Sequence, residues 1–354
     1  MAVLTLPGLI DPHVHLRDPG ATHKEDWDSG TAAALAGGFS CVLDMPNNTP
    51  PIVDATSLAA KQRAARAGAR CDYGIHLGAG VDNVTSAAAL AAQVVGLKMY
   101  LDQTFGPLRL DDLGTLMAHA ARWRKEQPLL CHAEGRTMAA AILVAHLADR
   151  PVHICHVSRK EEIALIRAAK ARGMRVTCEV TPHHLFLTQA DVPRIGSGRA
   201  EVRPHLATEE DRAALRANLD VIDCFATDHA PHTRAEKDAL DPPPGFPGLE
   251  TALPLYLSLV RDGWLTMDGL IARLCDNPRR IFGVPDQAAT HIEIDPDTEW
   301  IARGAEMVTR AKWTPFEGWK LRGRVRRVVL RGQVAFQDGQ VLAPPGYGRD
   351  INEY

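Results

Sequence analysis

No run of apolar residues in the 354-residue chain reaches the roughly 18 needed to cross a bilayer. The start, MAVLTLPGLI, lacks the basic opening and the length of a secretory signal, so an untargeted chain in a reducing, cytoplasmic setting is the expectation. Charge of one sign is also lacking. The 40 Lys and Arg against 43 Asp and Glu leave a formal charge of −3, and the one short basic run, RGRVRRVVLR at 322–331, reads as the solvated face of a strand rather than a nucleic-acid surface. Seven scattered cysteines, an odd number in a long chain, exclude a disulfide framework. Apart from Pro242–Pro244, which reads as a rigid loop, there is no low-complexity tract, and there is no internal repeat.

What is present is alternation. Short apolar or β-branched runs fall at Gly8–His15, Phe39–Met45, Cys71–Gly78, Val95–Tyr100, Leu129–His132, Val152–His156, Arg175–Val180 and Val221–Thr227. Between several of them lie Ala-, Leu- and Lys/Arg-rich stretches with helical spacing, such as 24–36, 54–67, 111–125, 136–148 and 160–172. Eight strands alternating with helices predict a closed parallel (β/α)8 barrel over 7–285. From Asp286 the pattern changes to short alternating segments with Gly and Asp turns, which predicts a small β subdomain and tail over 286–354, joined by residues 1–6.

Polar residues gather at the C-terminal ends of the predicted strands, the end at which such barrels carry their chemistry. His13 and His15 are two apart on a strand and so share one side of it, as does Arg17 two further on. Alone, the pair fits a metal chelate or an ordinary polar strand end. His132, His156 and Asp228 end the fifth, sixth and eighth predicted strands; singly each fits a satisfied core histidine or a helix cap, but together they converge on one pocket. Lys98 interrupts the apolar GLKMYL. It fits either a side chain snorkelling from a strand end or a neutral amine that takes up carbon dioxide, giving an anionic carbamate able to bridge two metal ions. Imidazoles with carboxylate-type oxygens suit zinc. An arginine beside dications is costly unless the ligand brings a carboxylate.

The ordered set HVHLR, MPN, GLKMYL, CHAE, CHVSRKEE, CEVTPHH, ATDHAPH and PPPGFPGLET, with NPRRIF and PPGYG near the end, resembles the dihydroorotases of the amidohydrolase superfamily. Most similar are the dihydroorotase domains of multifunctional animal pyrimidine-synthesis polypeptides. The resemblance covers nearly the whole chain. It implies an amidohydrolase barrel and the reversible closure of N-carbamoyl-L-aspartate to (S)-dihydroorotate and water, in de novo pyrimidine (UMP) synthesis. It further implies two Zn2+ ions, one on His13, His15 and Asp228 and the other on His132 and His156, sharing N6-carboxylated Lys98. A third zinc on His13, Cys155 and Glu179 belongs to the animal type, although Cys155, next to His156, should face away unless the strand end bends.

By the same resemblance Asp228 shuttles a proton from the attacking water to the ring nitrogen. Arg17, Asn47 and His232 meet the substrate carboxylate, and Arg203, Pro244 and Gly245 meet the ring. A loop at 101–109, carrying Thr104 and Phe105, closes over it. For Asn47 a turn role, for Arg203 a surface ion pair and for Phe105 packing into the barrel rim are the plainer readings. Relatives of this kind dimerise and associate with aspartate transcarbamoylase and carbamoyl phosphate synthetase domains. A stand-alone enzyme and an excised domain both fit the sequence. Two rivals remain, another cyclic amidohydrolase of hydantoinase or allantoinase type and a silent scaffold domain; Arg17 argues against the first and the intact ligand set against the second.

Overall fold

Strands that are apolar on both faces can be buried only between two layers, and the chain arranges its apolar runs in that way. In the computed structural model, which describes residues 3–353, the strands are β1 (Leu4–Pro7), β2 (Leu9–Val14), β3 (Phe39–Asp44), β4 (Asp72–Ile75), β5 (Leu77–Gly78), β6 (Leu97–Tyr100), β7 (Leu129–His132), β8 (Val152–Ile154), β9 (Val176–Val180), β10 (Cys224–Phe225), β11 (His291–Ile301), β12 (Lys320–Leu330), β13 (Gln333–Gln337) and β14 (Gln340–Val341). Strands β2 to β10 pair in parallel in chain order, as β2-β3-β4 and β5-β6-β7-β8-β9-β10. The two runs are continuous through His76: its N–H bonds to Asp44 O on β3 at 2.9 Å, and the next N–H, of Leu77, bonds to Gly96 O at 3.0 Å. At the other seam Val14 pairs with His229. The result is a closed barrel of eight strand positions.

Helices lie between consecutive strands, and their starts follow the capping chemistry of the sequence. Asp26 and Ser29 form a reciprocal cap for Trp27–Ala36, as do Asp54 and Ser57 for Ala55–Gly68 and Thr208 and Asp211 for Glu209–Ala217. A cluster containing Ile10, Cys41, Leu43, Leu130, Cys224 and Phe282 packs below the polar strand ends. Most other buried apolar residues form one larger cluster that runs through the helix layer into the small sheet.

That sheet is antiparallel, in the order β1-β11-β12-β13-β14. Along the first half of β12 basic residues alternate with buried Leu321, Gly323 and Val325, and Arg322, Arg326 and Arg327 pair with Asp297, Asp295 and Glu293 on β11. The basic run is thus matched by carboxylates. The C-terminal tail leaves the sheet and returns to the barrel, where Tyr73 N–H bonds to Arg349 O at 2.9 Å and Arg349 N–H to Asp72 Oδ1 at 2.9 Å. Residues 1, 2 and 354, within the expected subdomain, lie outside the described residues.

Several strands are shorter than the apolar runs that announce them. The eighth, expected over Val221–Thr227, is regular only at Cys224–Phe225, because Thr227 N–H turns to the Asp11 carboxylate at 3.1 Å instead of continuing the ladder.

Candidate metal and substrate site

Four of the buried polar side chains come from the C-terminal ends of β2, β7 and β8. The His13 and His15 rings lie 5.2 Å apart on the same side, and Asp228 Oδ1 sits 3.3 Å from His13 Nε2 and 3.0 Å from His15 Nε2. His132 Nδ1 and His156 Nε2 are 2.9 Å apart. Their other ring nitrogens, His132 Nε2 and His156 Nδ1, are buried with no hydrogen-bond partner. Orphaned buried nitrogens are rare in folded chains and call for an explanation, which a bound cation supplies. Burial drives His15, His132 and His156 well below the ordinary imidazole range, so each offers a lone pair rather than a charge.

Lys98 is fully buried in the middle of β6, its Nζ 2.9 Å from Cys155 Sγ and 5.1 Å from the centroid of the Tyr100 ring. Cys155 reaches this position because the chain does bend at the end of β8. His156 takes a left-handed φ of 37°, and both side chains lie on the side of the polar cluster. Arg17 and Asp228 share the strained geometry, at φ 63° and 46°. Three non-glycine residues in that region at one site mark backbone held by its surroundings for a purpose.

Behind His13, the Glu179 carboxylate accepts from His13 Nδ1 and from His153 Nε2 at 3.1 Å. Burial pushes Glu179 up, but His13 and the two imidazole hydrogen bonds more than offset it and hold the carboxylate ionised well below its usual range. Burial lowers His13, which leaves a neutral ring with Nδ1–H on Glu179 and the Nε2 lone pair toward Asp228. A carboxylate that orients a ligand histidine in this way is common behind metals. Two groups of ligand atoms each converge within 4.8 Å, His13 with His15 and Asp228, and His13 with Cys155 and Glu179.

The cavity above these groups is walled by Thr104 and Phe105 on one side and Pro244 and Gly245 on another, with Arg203 also in its lining. Gly245 has φ 143°, and a Cβ there would fall 2.4 Å from Ala230 O, so the loop approaches the strand end as closely as only glycine permits. Asn47 Oδ1 accepts from His15 Nδ1 at 2.6 Å while its Nδ2 donates to Phe105 O at 3.2 Å, tying the loop to His15. Arg203 pairs with Glu201, as the plain reading expected, and also lines the cavity. His232 stands just outside, its Nε2 3.1 Å from an Arg17 terminal nitrogen.

Arg17 is buried, donates from Nε to Pro231 O at 3.1 Å, and forms no ion pair among the described residues. Burial draws it down to about 10, still charged at neutrality. Tyr100, Lys24 and Lys237 escaped the sequence reading. Tyr100 lines the cavity and is two residues from Lys98 on β6, a spacing that would have revealed it. Lys237 is buried and fastens the walls by donating to Glu201 O at 2.7 Å and Pro243 O at 2.8 Å, a role without local signature. A roomier groove lies between helix Leu249–Arg261 and the small sheet, lined by Leu253, Trp300 and Arg324, and among the described residues it gathers no comparable set of ligand atoms.

Residues 4–290 match the model of the amidohydrolase family. The chain is 57% identical over 352 residues to the multifunctional protein CAD of Squalus acanthias, covering 99% of this chain and 16% of that protein, so it spans about one sixth of that relative's length. It is 35% identical over 355 residues to the dihydroorotase of Pyrococcus furiosus, covering 96% of this chain and 83% of that one. Among solved structures, the inactive dihydroorotase-like domain of a CAD-like multifunctional protein from Chaetomium thermophilum is 32% identical at a TM-score of 0.84, covering 99% of each chain. The L-hydantoinase of Arthrobacter aurescens is alike in fold, with a TM-score of 0.89 at 24% identity over 98% of this chain and 88% of that one.

Proposed function

The chain belongs to the amidohydrolase family, and from that premise we propose that it is a dihydroorotase, interconverting N-carbamoyl-L-aspartate and (S)-dihydroorotate. The observation that carries this choice over other cyclic amides is Arg17, a buried guanidinium without a carboxylate partner beside the ligand cluster. A substrate carboxylate provides the missing anion, and guanidinium meets it through two parallel hydrogen bonds. Hydantoins and dihydropyrimidines without a carboxylate would leave it unmatched.

The donor set fits zinc: neutral imidazoles, two orphaned ring nitrogens and a buried aspartate. His13, His15 and Asp228 would hold one ion, His132 and His156 a second, with Lys98 shared as its carbamate; a third would use His13, Cys155 and Glu179. Bound there, the paired ions supply a water acidified from about 15.7 toward about 7 and a polarised ring carbonyl. The protein's own part is orientation and proton transfer. Asp228, raised by burial from the ordinary carboxylate range, is suited to take a proton at Oδ1 and return it to the ring nitrogen. Asn47 and His232 join Arg17 at the carboxylate, Arg203 and the 244–245 backbone face the ring, and Phe105 excludes water. The barrel, 7–285, is the catalytic unit of this reading, and 286–354 with 1–6 its appendage.

The small share of the CAD relative that this chain spans supports a setting among other pyrimidine-synthesis domains, aspartate transcarbamoylase and carbamoyl phosphate synthetase in this reading, and the homodimer expected of such relatives belongs to the same proposal. The inactive Chaetomium thermophilum domain favours one further reading, a silent scaffold. Purified protein assayed with dihydroorotate and analysed for zinc separates them. Turnover with at least two zinc ions per chain is expected, and Lys98→Ala loses both while Lys98→Arg restores neither. Zinc without turnover points to another cyclic amide, and absence of both to the scaffold.

A further inference from the structure

Lys24 is absent from every role assigned above, yet it touches three of the groups around the cavity. Its ammonium lies 3.0 Å from His232 Nδ1, 3.0 Å from Glu236 Oε1 and 5.0 Å from the centroid of the Phe105 ring. The side chain is buried at 7% exposure. The same Phe105 ring meets the His232 ring edge to face at 5.3 Å and the Arg17 guanidinium at 5.5 Å. The loop that carries Phe105 therefore rests on a platform of two cations and one imidazole.

The contacts of His232 dictate where its proton sits. An ammonium only donates, so Nδ1 toward Lys24 must carry the lone pair. Pro244 O only accepts, and it lies 3.0 Å from Nε2, so Nε2 must carry the hydrogen. Burial, together with Arg17, Lys24 and Lys237, holds the ring well below the ordinary imidazole range and keeps it neutral. Arg17 approaches the same Nε2 at 3.1 Å. The Arg17 terminal nitrogen thus meets a donor rather than an acceptor, an arrangement completed by an anion that accepts from Arg17 and shares the Nε2 hydrogen with Pro244 O. The Trp313 indole N–H on His232 O, at 2.9 Å, fixes the backbone behind the ring.

We propose that Lys24 is a positioning residue for the carboxylate end of the substrate, setting His232 as a neutral Nε2–H donor and seating Phe105 of the loop above it. The assignment rests on the dihydroorotase reading for its substrate, but its tautomer claim stands on the contacts alone. Glu236 keeps the ammonium in place, for it is itself fixed by Thr233, next to His232, through N–H and hydroxyl bonds at 2.9 and 2.8 Å. Lys24 accordingly joins the carboxylate pocket and the loop in one contact set.

The test compares wild type with Lys24→Met, Lys24→Gln and Lys24→Arg in the metal-loaded enzyme. Steady-state kinetics with dihydroorotate, zinc analysis and heteronuclear NMR of the histidine ring nitrogens are read together, with His232→Gln assigning the relevant signals. Lys24→Met is expected to raise KM about tenfold, the scale of one hydrogen bond linked to charge, with a smaller change in kcat and unchanged zinc. Its His232 signals should average between tautomers. Lys24→Arg, which also only donates, should recover the Nε2–H tautomer and part of KM. Lys24→Gln is read in the same way should the methionine variant fail to fold. Wild-type KM in Lys24→Met, or His232 still locked as Nε2–H, overturns the proposal. A wild-type enzyme that does not turn over dihydroorotate sinks the functional reading instead, and the NMR arm then decides the role of Lys24.

Discussion

A guanidinium held inside a protein without a carboxylate is expensive, because it forgoes much of its hydration and gains only dipoles in return. Arg17 accepts that cost, drawn down to about 10 by burial, with Pro231 O and the His232 ring as its hydrogen-bond partners among the described residues. In Arg17→Gln the charge-assisted pair to the substrate carboxylate is lost, so KM for dihydroorotate should rise roughly 100-fold, the equivalent of about 2–3 kcal/mol. Zinc content should stay unchanged, since Arg17 offers no metal-ligating atom. Kinetics indistinguishable from wild type would remove the carboxylate from the account. The two histidines were marked by their HxH spacing, since side chains two apart on a strand share a side, and gained weight only beside His132, His156, Asp228 and Lys98. Arg17 lies beyond β2 at φ 63°, where a turn rather than the strand sets its direction. Cys155 was not legible. Its arrival at the site depends on the left-handed turn at His156, a conformation set by surrounding packing and carrying no sequence mark. Lys24 and Lys237 were hidden for a related reason, since long side chains reach partners far off in sequence, Lys24 those at 232 and 236.

Among the elements, the parallel strands were the easiest to foresee, being short apolar runs buried on both faces. Their limits were harder. At the strand ends the backbone gives up ladder bonds for side-chain acceptors, as at Thr227, whose N–H and hydroxyl go to Asp11 at 3.1 and 2.5 Å. The tail was legible as a late segment but not as a partner of β4, because one backbone bond and one bond to the Asp72 carboxylate leave no periodicity to read. The 101–109 loop lies between these cases. Its Gly-Pro break marked it as irregular, while its seat on Arg17, Lys24 and His232 is a tertiary matter. Phe105→Ala removes the ring that covers this nest, with a loss on the order of 2 kcal/mol of buried apolar contact. Turnover should fall by roughly tenfold or more while zinc is retained, a split read by kinetics beside metal analysis. Unchanged kinetics would reduce Phe105 to packing at the rim.

At the scale of the whole molecule the candidate ligands span the chain from His13 to Asp228, and the seam at Val14 and His229 brings its two ends together. Binding free energy at such a centre is shared by the entire barrel, so chelation should lower the thermal midpoint as well as abolish activity. Acid acts through the same groups. The imidazoles of His15, His132 and His156, driven down by burial, are neutral in the fold; their contribution to stability is present above the unfolded value of 6.5 and is lost as pH falls below it. Asp11 and Glu250, both raised to about 7 by burial, work in the other direction, favouring the fold at low pH and losing that contribution as pH rises through about 7. These opposed slopes make the thermal midpoint a poor measure of the site between pH 5 and 7. Zinc content is the better one, because ligand nitrogens must be unprotonated to bind. After equilibration across pH 4–8 the metal should remain bound at 6.5 and leave only at lower pH, half-release falling below the value of a free imidazole in keeping with the buried rings. Half-release above 6.5 would mean that the rings titrate as exposed histidines do, and that they do not hold the metal.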